Sequence, residues 1–327
     1  MLLEQRKLGR TNIKVSPIGL GCWQFSKGAG LIGRYWPTLN QDEINAIVRV
    51  SLEGGINWFD TAEVYGWGNS EKSLAQALKE LGKDPDEILI ADKWWPALRW
   101  AGSITSTIDE RLRCLSPFHI DLYQIHNRFS ISSLDAQMKE MLKLLQQGTI
   151  RSAGVSNFSA KAMRQCHKFL AANGFGLSSN QVLYNLLDRR IETNGVLETA
   201  KELGISLIAY SPLAQGVLTG KFHDDSVVKQ QTGGRKFKKQ FRESELKKSL
   251  PLIQRLRALA EKYERSPAQI ALNWLILFHG DTVLAIPGAT KINQAQDNTG
   301  AMTFKLTEDE LLELDHLSAQ SSFASTV

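Results

Sequence analysis

Four ionisable residues stand out because each ends, or closely follows, an apolar run. Asp60 closes the run 56–60, Lys93 closes 88–93 and His126 closes 120–126, while Tyr65 lies in the loop just after Asp60. Together they can carry out proton chemistry without a metal. A carbonyl that receives hydride becomes an alkoxide and needs a proton. A tyrosine can supply one, but a free phenol, with a pKa of about 10, is a weak acid at neutral pH. A lysine ammonium beside the phenol is expected to lower that value, and a carboxylate would hold the lysine charged and in place. A histidine can hydrogen-bond the carbonyl oxygen and orient it. The expected relay has Asp60 holding Lys93, Lys93 acidifying Tyr65 and His126 aiming the carbonyl.

These residues need elements that bring distant strand ends together. The chain repeats one unit, a short apolar run followed by a polar turn and an amphipathic helix. The predicted strands are 18–22, 56–60, 88–93, 120–126, 152–157, 180–184, 206–211 and 283–287. Helices are predicted near 41–53, 70–80, 103–115, 133–147, 159–171, 192–203, 249–263 and 267–278, with a further one opening near 291. In 133–147 the residues Leu134, Met138, Met141, Leu142 and Leu145 recur at helical spacing, and Gly148 stands where a stop belongs. Strands this apolar suit a parallel sheet covered by helices. Eight strands with eight crossovers, and no Gly-rich dinucleotide fingerprint after the first strand, predict a (β/α)8 TIM barrel. Residues 4–16 read as an N-terminal β-hairpin over the barrel floor, and an extra helix is predicted at the C-terminus. A long polar insertion is predicted at 222–248.

In such a barrel the active site lies at the carboxyl ends of the strands. Ser156-Asn157, Gln181 and Tyr210-Ser211 then join the four residues already named. Packing alone does not require polar groups at the ends of so many apolar strands.

The chain has 327 residues, of which 43% are hydrophobic, enough for one large core read here as a single domain over 1–327. The net charge of +5 is spread along the chain and favours neither nucleic acid nor membrane. Cys22, Cys114 and Cys166 are far apart and show no metal spacing, which fits a reducing cytoplasm. Residues 1–10 show no signal-peptide pattern, and the most apolar run, 271–278, is too short to span a bilayer.

Several strings, in order, resemble the aldo-keto reductase family over nearly the whole chain. They are GINWFDTAEVYG at 55–66, ADK at 91–93, DLYQIH at 121–126, GVSNF at 154–158, SNQV at 179–182, AYSPL at 209–213 and IPG at 286–288. The resemblance extends to the potassium-channel β-subunit branch. It implies Asp60, Tyr65, Lys93 and His126 as a catalytic tetrad with Tyr65 as general acid, acting on a small-molecule carbonyl substrate. It also implies NADPH or NADP+ as cofactor, with NADH less favoured. Ser156, Asn157 and Gln181 match positions that bind the nicotinamide carboxamide, and Tyr210 matches the residue that stacks on the ring. Ser211 and Leu213 match the backbone along the pyrophosphate, and Lys221 and Arg235 match basic residues of a loop over the phosphates. Gly288, Thr290, Lys291, Gln294, Asp297 and Asn298 match the adenosine end. In many family members an arginine stands at the position of Gln294; here Lys291 and the loop cations are left to meet a 2'-phosphate.

Plainer readings compete. Asp60 could cap a helix, but a coincidence at four strand ends outweighs that. Asp60 and His126 could ligate a metal only with further ligands, which the pattern lacks. Trp23, Trp94 and Trp95 are candidates for an aromatic substrate wall, against simple packing under loops. Cys22 reads as a small filler near the pocket. The basic stretch 229–242 reads as a solvated face apart from Arg235, and Gly28-Ala29-Gly30 as a pliable lid. The alternatives in function are an NAD(P)-dependent alcohol or sugar dehydrogenase, a redox-sensing regulatory subunit and a cofactor-free hydrolase. The last is disfavoured by Ser156, Asn157 and Gln181.

Overall fold

The structure is a computed structural model and describes residues 2–29, 36–223 and 239–321. A short antiparallel hairpin, β1 (Arg6–Lys7) and β2 (Lys14–Val15), precedes the main sheet. The sheet comprises β3 (Leu20–Gly21), β4 (Trp58–Asp60), β5 (Leu89–Trp94), β6 (Ile120–Ile125), β7 (Ile150–Ser156), β8 (Leu177–Leu183), β9 (Ser206–Tyr210) and β10 (Val283–Ala285), each parallel to the next.

The sheet closes on itself. Gly19 N–H donates to Ala285 O at 2.8 Å, Gly21 N–H to Pro287 O at 3.1 Å and Ala285 N–H to Pro17 O at 3.0 Å. Close neighbours on either side of the first strand explain its glycines. A Cβ on Gly19 would lie 2.4 Å from the Trp58 ring, and one on Gly21 would lie 2.8 Å from Ile286 O. The predicted (β/α)8 barrel is therefore observed.

The pleat then sorts the barrel interior by depth. Trp58, Ala91, Leu122, Ile208 and Leu284 form one inner apolar cluster, and hairpin residues Leu8, Ile13 and Val15 seal it from below. Two residues further along each strand the side chain faces inward again. There the residues are Asp60, Lys93, Gln124 and Tyr210. An apolar floor thus carries a largely polar mouth, because most of these short strands place a polar residue near the end.

The helices follow the caps. Ser133 accepts from Ala136 N–H to start α5 (Leu134–Gln146), and Ser266 with Gln269 forms a capping box at α9 (Pro267–Leu277). Three predicted helices differ. The stretch 103–115 breaks at Thr107 into α3 (Ser103–Ser106) and α4 (Ile108–Leu115). The helix predicted at 192–203 begins at Val196, because Gly195 at φ +81° cannot continue a helix turn. The helix predicted from 249 begins at Glu243 and runs through Pro251 to Tyr263, since buried Leu246 extends its apolar stripe upstream. The polar insertion is correspondingly shorter. Within it Phe241 is buried and meets Phe222 edge-on at 5.0 Å, so the expectation of a wholly solvated face there is corrected. The predicted C-terminal helix is present as Glu308–Ser321.

Candidate active site

A cavity of about 690 Å³ opens at the carboxyl ends of the barrel strands. Asp60, Tyr65 and His126 line one end, and Thr290, Lys291, Gln294, Asp297 and Asn298 line the other. Between them lie Ser156, Asn157, Gln181, Tyr210, Ser211, Leu213, Lys221 and Gly288. Residues predicted from seven separate segments thus share one wall. Arg235 lies outside the described residues, as do Gly30 and most of the basic stretch.

Asp60 and Lys93 face each other across the interior from adjacent strands. Lys93 Nζ lies 2.5 Å from Asp60 Oδ1 and donates to Thr61 O at 2.7 Å. The other carboxylate oxygen accepts from Gln181 Nε2 at 2.7 Å and Gln124 Nε2 at 3.4 Å. Donors around Asp60 and acceptors around Lys93 demand a carboxylate–ammonium pair. Burial lifts the Asp60 carboxyl above its ordinary value, and Lys93, Gln181 and Gln124 oppose the rise. Burial also works against the Lys93 ammonium, but Asp60, Tyr65 and Asp92 hold it above its ordinary value.

Lys93 Nζ lies 5.0 Å from the Tyr65 ring centroid. The expected acidification is not the net result. Burial pushes the Tyr65 phenol up to about 12, and Lys93 only offsets part of that rise. The phenol is therefore held protonated at neutral pH, as a proton donor must be. His126 is pushed well below its ordinary value by burial and by Lys93, so it stands as a neutral imidazole. Its Nδ1 is buried with no partner among the described residues.

Aromatic rings wall this end. Trp23 stacks on Tyr65 at 6.0 Å, Trp36 meets Trp23 edge-on at 5.8 Å and Trp95 meets His126 edge-on at 5.1 Å. Trp94 does not line the cavity. The alternation that turns Lys93 inward turns Trp94 outward, where it is fully buried against the helices and donates from Nε1 to Ser103 Oγ at 3.0 Å. Sequence reasoning missed Gln24, Trp36, Gln124 and Gln215. Gln124 was detectable, since it stands two residues before His126 on an inward-facing position.

Along the cavity, Tyr210 Oη donates to Asn157 Oδ1 at 3.0 Å, and Asn157 Nδ2 donates to Ser156 Oγ at 3.1 Å. Asn157 adopts φ +60°, which turns its side chain back along the strand end. At the far end Gln294 Oε1 accepts from Thr290 N–H at 2.7 Å and Thr290 Oγ1 at 3.1 Å, folded over the start of α10 (Ile292–Gly300). Buried Asn298 has an Nδ2 with no partner among the described residues.

A family model described as the aldo/keto reductase family matches residues 17–319. The chain belongs to the aldo/keto reductase family. It is similar to a probable aldo-keto reductase of Glycine max, 31% identical over 319 residues covering 95% of this chain and 88% of that protein. A chloroplastic pyridoxal reductase of Arabidopsis thaliana is 32% identical over 324 residues, covering 94% and 85%. Among solved structures, a glycerol dehydrogenase from Gluconobacter oxydans superposes with a TM-score of 0.84 at 27% identity, covering 99% of this chain and 98% of that one. This aldo/keto reductase is accordingly an oxidoreductase of a family that uses nicotinamide cofactors. Among the described residues no cluster of three or more His, Cys, Asp or Glu could hold a metal, and no helix is long and apolar enough to cross a membrane.

Proposed function

We propose that this aldo/keto reductase is an NADPH-dependent carbonyl reductase in which Tyr65 protonates the carbonyl oxygen. The observation that carries the reading is the buried Asp60–Lys93 pair beneath a phenol that burial keeps protonated. The cavity suits the cofactor, because Asn298 Nδ2 has no partner among the described residues and Lys221 and Lys291 line the wall. When bound, a nicotinamide supplies the hydride. Ser156, Asn157 and the remaining Oε1 of Gln181 would hold the carboxamide, and Tyr210 would offer its ring to the nicotinamide. Lys221 and Lys291 would meet the phosphates, with the N–H groups at the start of α10 beside them.

Within the chain the steps are few. His126, neutral, donates one hydrogen bond to the carbonyl oxygen and orients it. Tyr65 gives its proton to the developing alkoxide. Lys93 stabilises the phenolate left behind, and Asp60 keeps Lys93 charged. A phenol held near 12 is protonated at neutral pH, which is the form reduction needs, whereas alcohol oxidation needs the phenolate. The aromatic wall of Trp23, Trp36 and Trp95 supports an apolar or aromatic carbonyl substrate. All three cysteines are buried and unpaired, which supports a reducing, cytoplasmic setting.

The test is a panel of aldehydes, ketones and sugars followed by NADPH absorbance and repeated with NADH. Tyr65→Phe should lower kcat by about 10²- to 10⁴-fold with NADPH binding retained. Retained turnover would remove Tyr65 from the acid role. The double variant Lys221→Ala, Lys291→Ala should weaken NADPH more than NADH; equal losses would contradict 2'-phosphate recognition there.

A further inference from the structure

On the outer face of the sheet, one peptide away from Lys93, lies a second charged cluster that the relay does not use. Asp92 points away from the barrel interior because Lys93 points into it. Asp92 Oδ1 accepts the Lys93 N–H at 2.8 Å and so fixes the main chain that carries the ammonium. Facing it are Glu71, in the first turn of α2 (Asn69–Glu80), and Arg111 on α4. Glu71 and Asp92 are both fully buried and within hydrogen-bonding reach of each other.

The cluster does not balance if every acid is ionised. Glu63, Glu71 and Asp92 are buried acids, and the guanidinium groups present are Arg111, 3.2 Å from Glu71, and Arg99, 2.5 Å from Glu63. Glu110 also meets Arg111 at 2.8 Å but is over half exposed and solvated. Tyr123, the cross-strand partner of Asp92, adds a neutral hydroxyl, and Cys114 on α4 adds a thiol that burial keeps protonated. The hydrogen bonds leave the same gap. Glu71 Oε1 and Asp92 Oδ2 are buried and find no donor among the described residues. One proton between the two carboxyl groups would give both oxygens a partner and remove the excess negative charge.

We propose that Glu71 and Asp92 share a single proton, and that this pair is a positioning device for Lys93. Burial raises both acids; the Asp92 charge raises Glu71 further, while the Lys93 N–H, Arg111 and Lys93 oppose the rise at Asp92 without cancelling it. While the proton is held, the charge behind the strand is balanced. When it leaves, Asp92 gains negative charge next to Lys93, and the added charge makes the Tyr65 phenol a weaker acid. Carbonyl reduction should therefore slow as the pair ionises with rising pH. The kinetic half of this proposal rests on the reductase reading; the shared proton does not.

Infrared spectroscopy of the unaltered protein, without cofactor or substrate, tests the proton directly. A protonated carboxyl stretch should be present at neutral pH, shift in D2O and disappear in both Asp92→Asn and Glu71→Gln. Absence of the band in the unaltered protein, or its persistence in both variants, overturns the shared proton. In kinetics, the unaltered enzyme should show a downward step in kcat of about threefold or more as pH rises, with KM unchanged. Asp92→Asn keeps an acceptor for the Lys93 N–H, and both variants should lack the step while keeping kcat near the wild-type value at acid pH. An unchanged step in both variants overturns the positioning role. If the band is present but no carbonyl is reduced by the unaltered chain, the reductase reading falls and the shared proton stands.

Discussion

Gln181 donates from Nε2 to Asp60 Oδ2 at 2.7 Å, so the sixth strand of the barrel is tied directly to the second. The same glutamine lines the cavity next to Asn157. It therefore couples the place proposed for the nicotinamide to the charge that holds Lys93.

Replacing Gln181 with leucine should affect two measurements at once. Asp60 Oδ2 would keep only the long contact from Gln124. A hydrogen bond to a charged group contributes about 1.5–3 kcal/mol, so kcat/KM should fall about 10- to 100-fold. NADPH binding, followed by fluorescence, should weaken as well. A loss confined to cofactor binding would mean that the contact with Asp60 has no catalytic consequence.

Lys93→Met should cost stability as well as turnover. It leaves the Asp60 carboxylate buried without its cation, at about 3–5 kcal/mol if the charge stays. Thermal unfolding should register a lower Tm. The double variant Asp60→Asn, Lys93→Met should recover much of that Tm while remaining inactive. A single variant as stable as the unaltered chain would show that Asp60 takes up a proton instead.

The two perturbed groups beside the pair set opposite ends of the pH range. His126 binds its proton less readily folded than unfolded, so the unfolded state gains protons first as pH falls below about 6.5. Stability should decline there as acid is added. Tyr65 behaves in the other sense. Its folded value of about 12 lies above the unfolded value of about 10, so stability should decline as pH rises between them. Denaturant midpoints across pH, compared with those of His126→Gln and Tyr65→Phe, measure each contribution.

Neighbouring tryptophans should respond differently. Trp94→Ala removes a fully buried ring and should cost about 3–5 kcal/mol of stability. Trp95→Ala takes a ring from the cavity wall and should raise KM for aromatic carbonyls with little change in Tm. A change in KM from Trp94→Ala with unaltered Tm would contradict the outward placement.

The order of apolar runs, and an ionisable or polar residue near the end of most of them, was legible in the sequence because it is local. Alternation, capping residues and run length act over a few positions, so β5, α5 and α9 came out within a residue or two of prediction. The same patterns placed Asp60, Lys93 and His126 at strand ends, and the barrel that follows from eight such units brings those ends together. Burial is different, because it sums contributions from residues far apart in the chain. It pushed Tyr65 upward where a lysine alone would have pulled it down. Packing also set Glu71 against Asp92 from separate elements. That contact has no local signature. The sequence by itself determined the repeating unit and the residues at its ends; tertiary structure decided their protonation and which neighbours they answer to, because desolvation and contact exist only once the chain has closed.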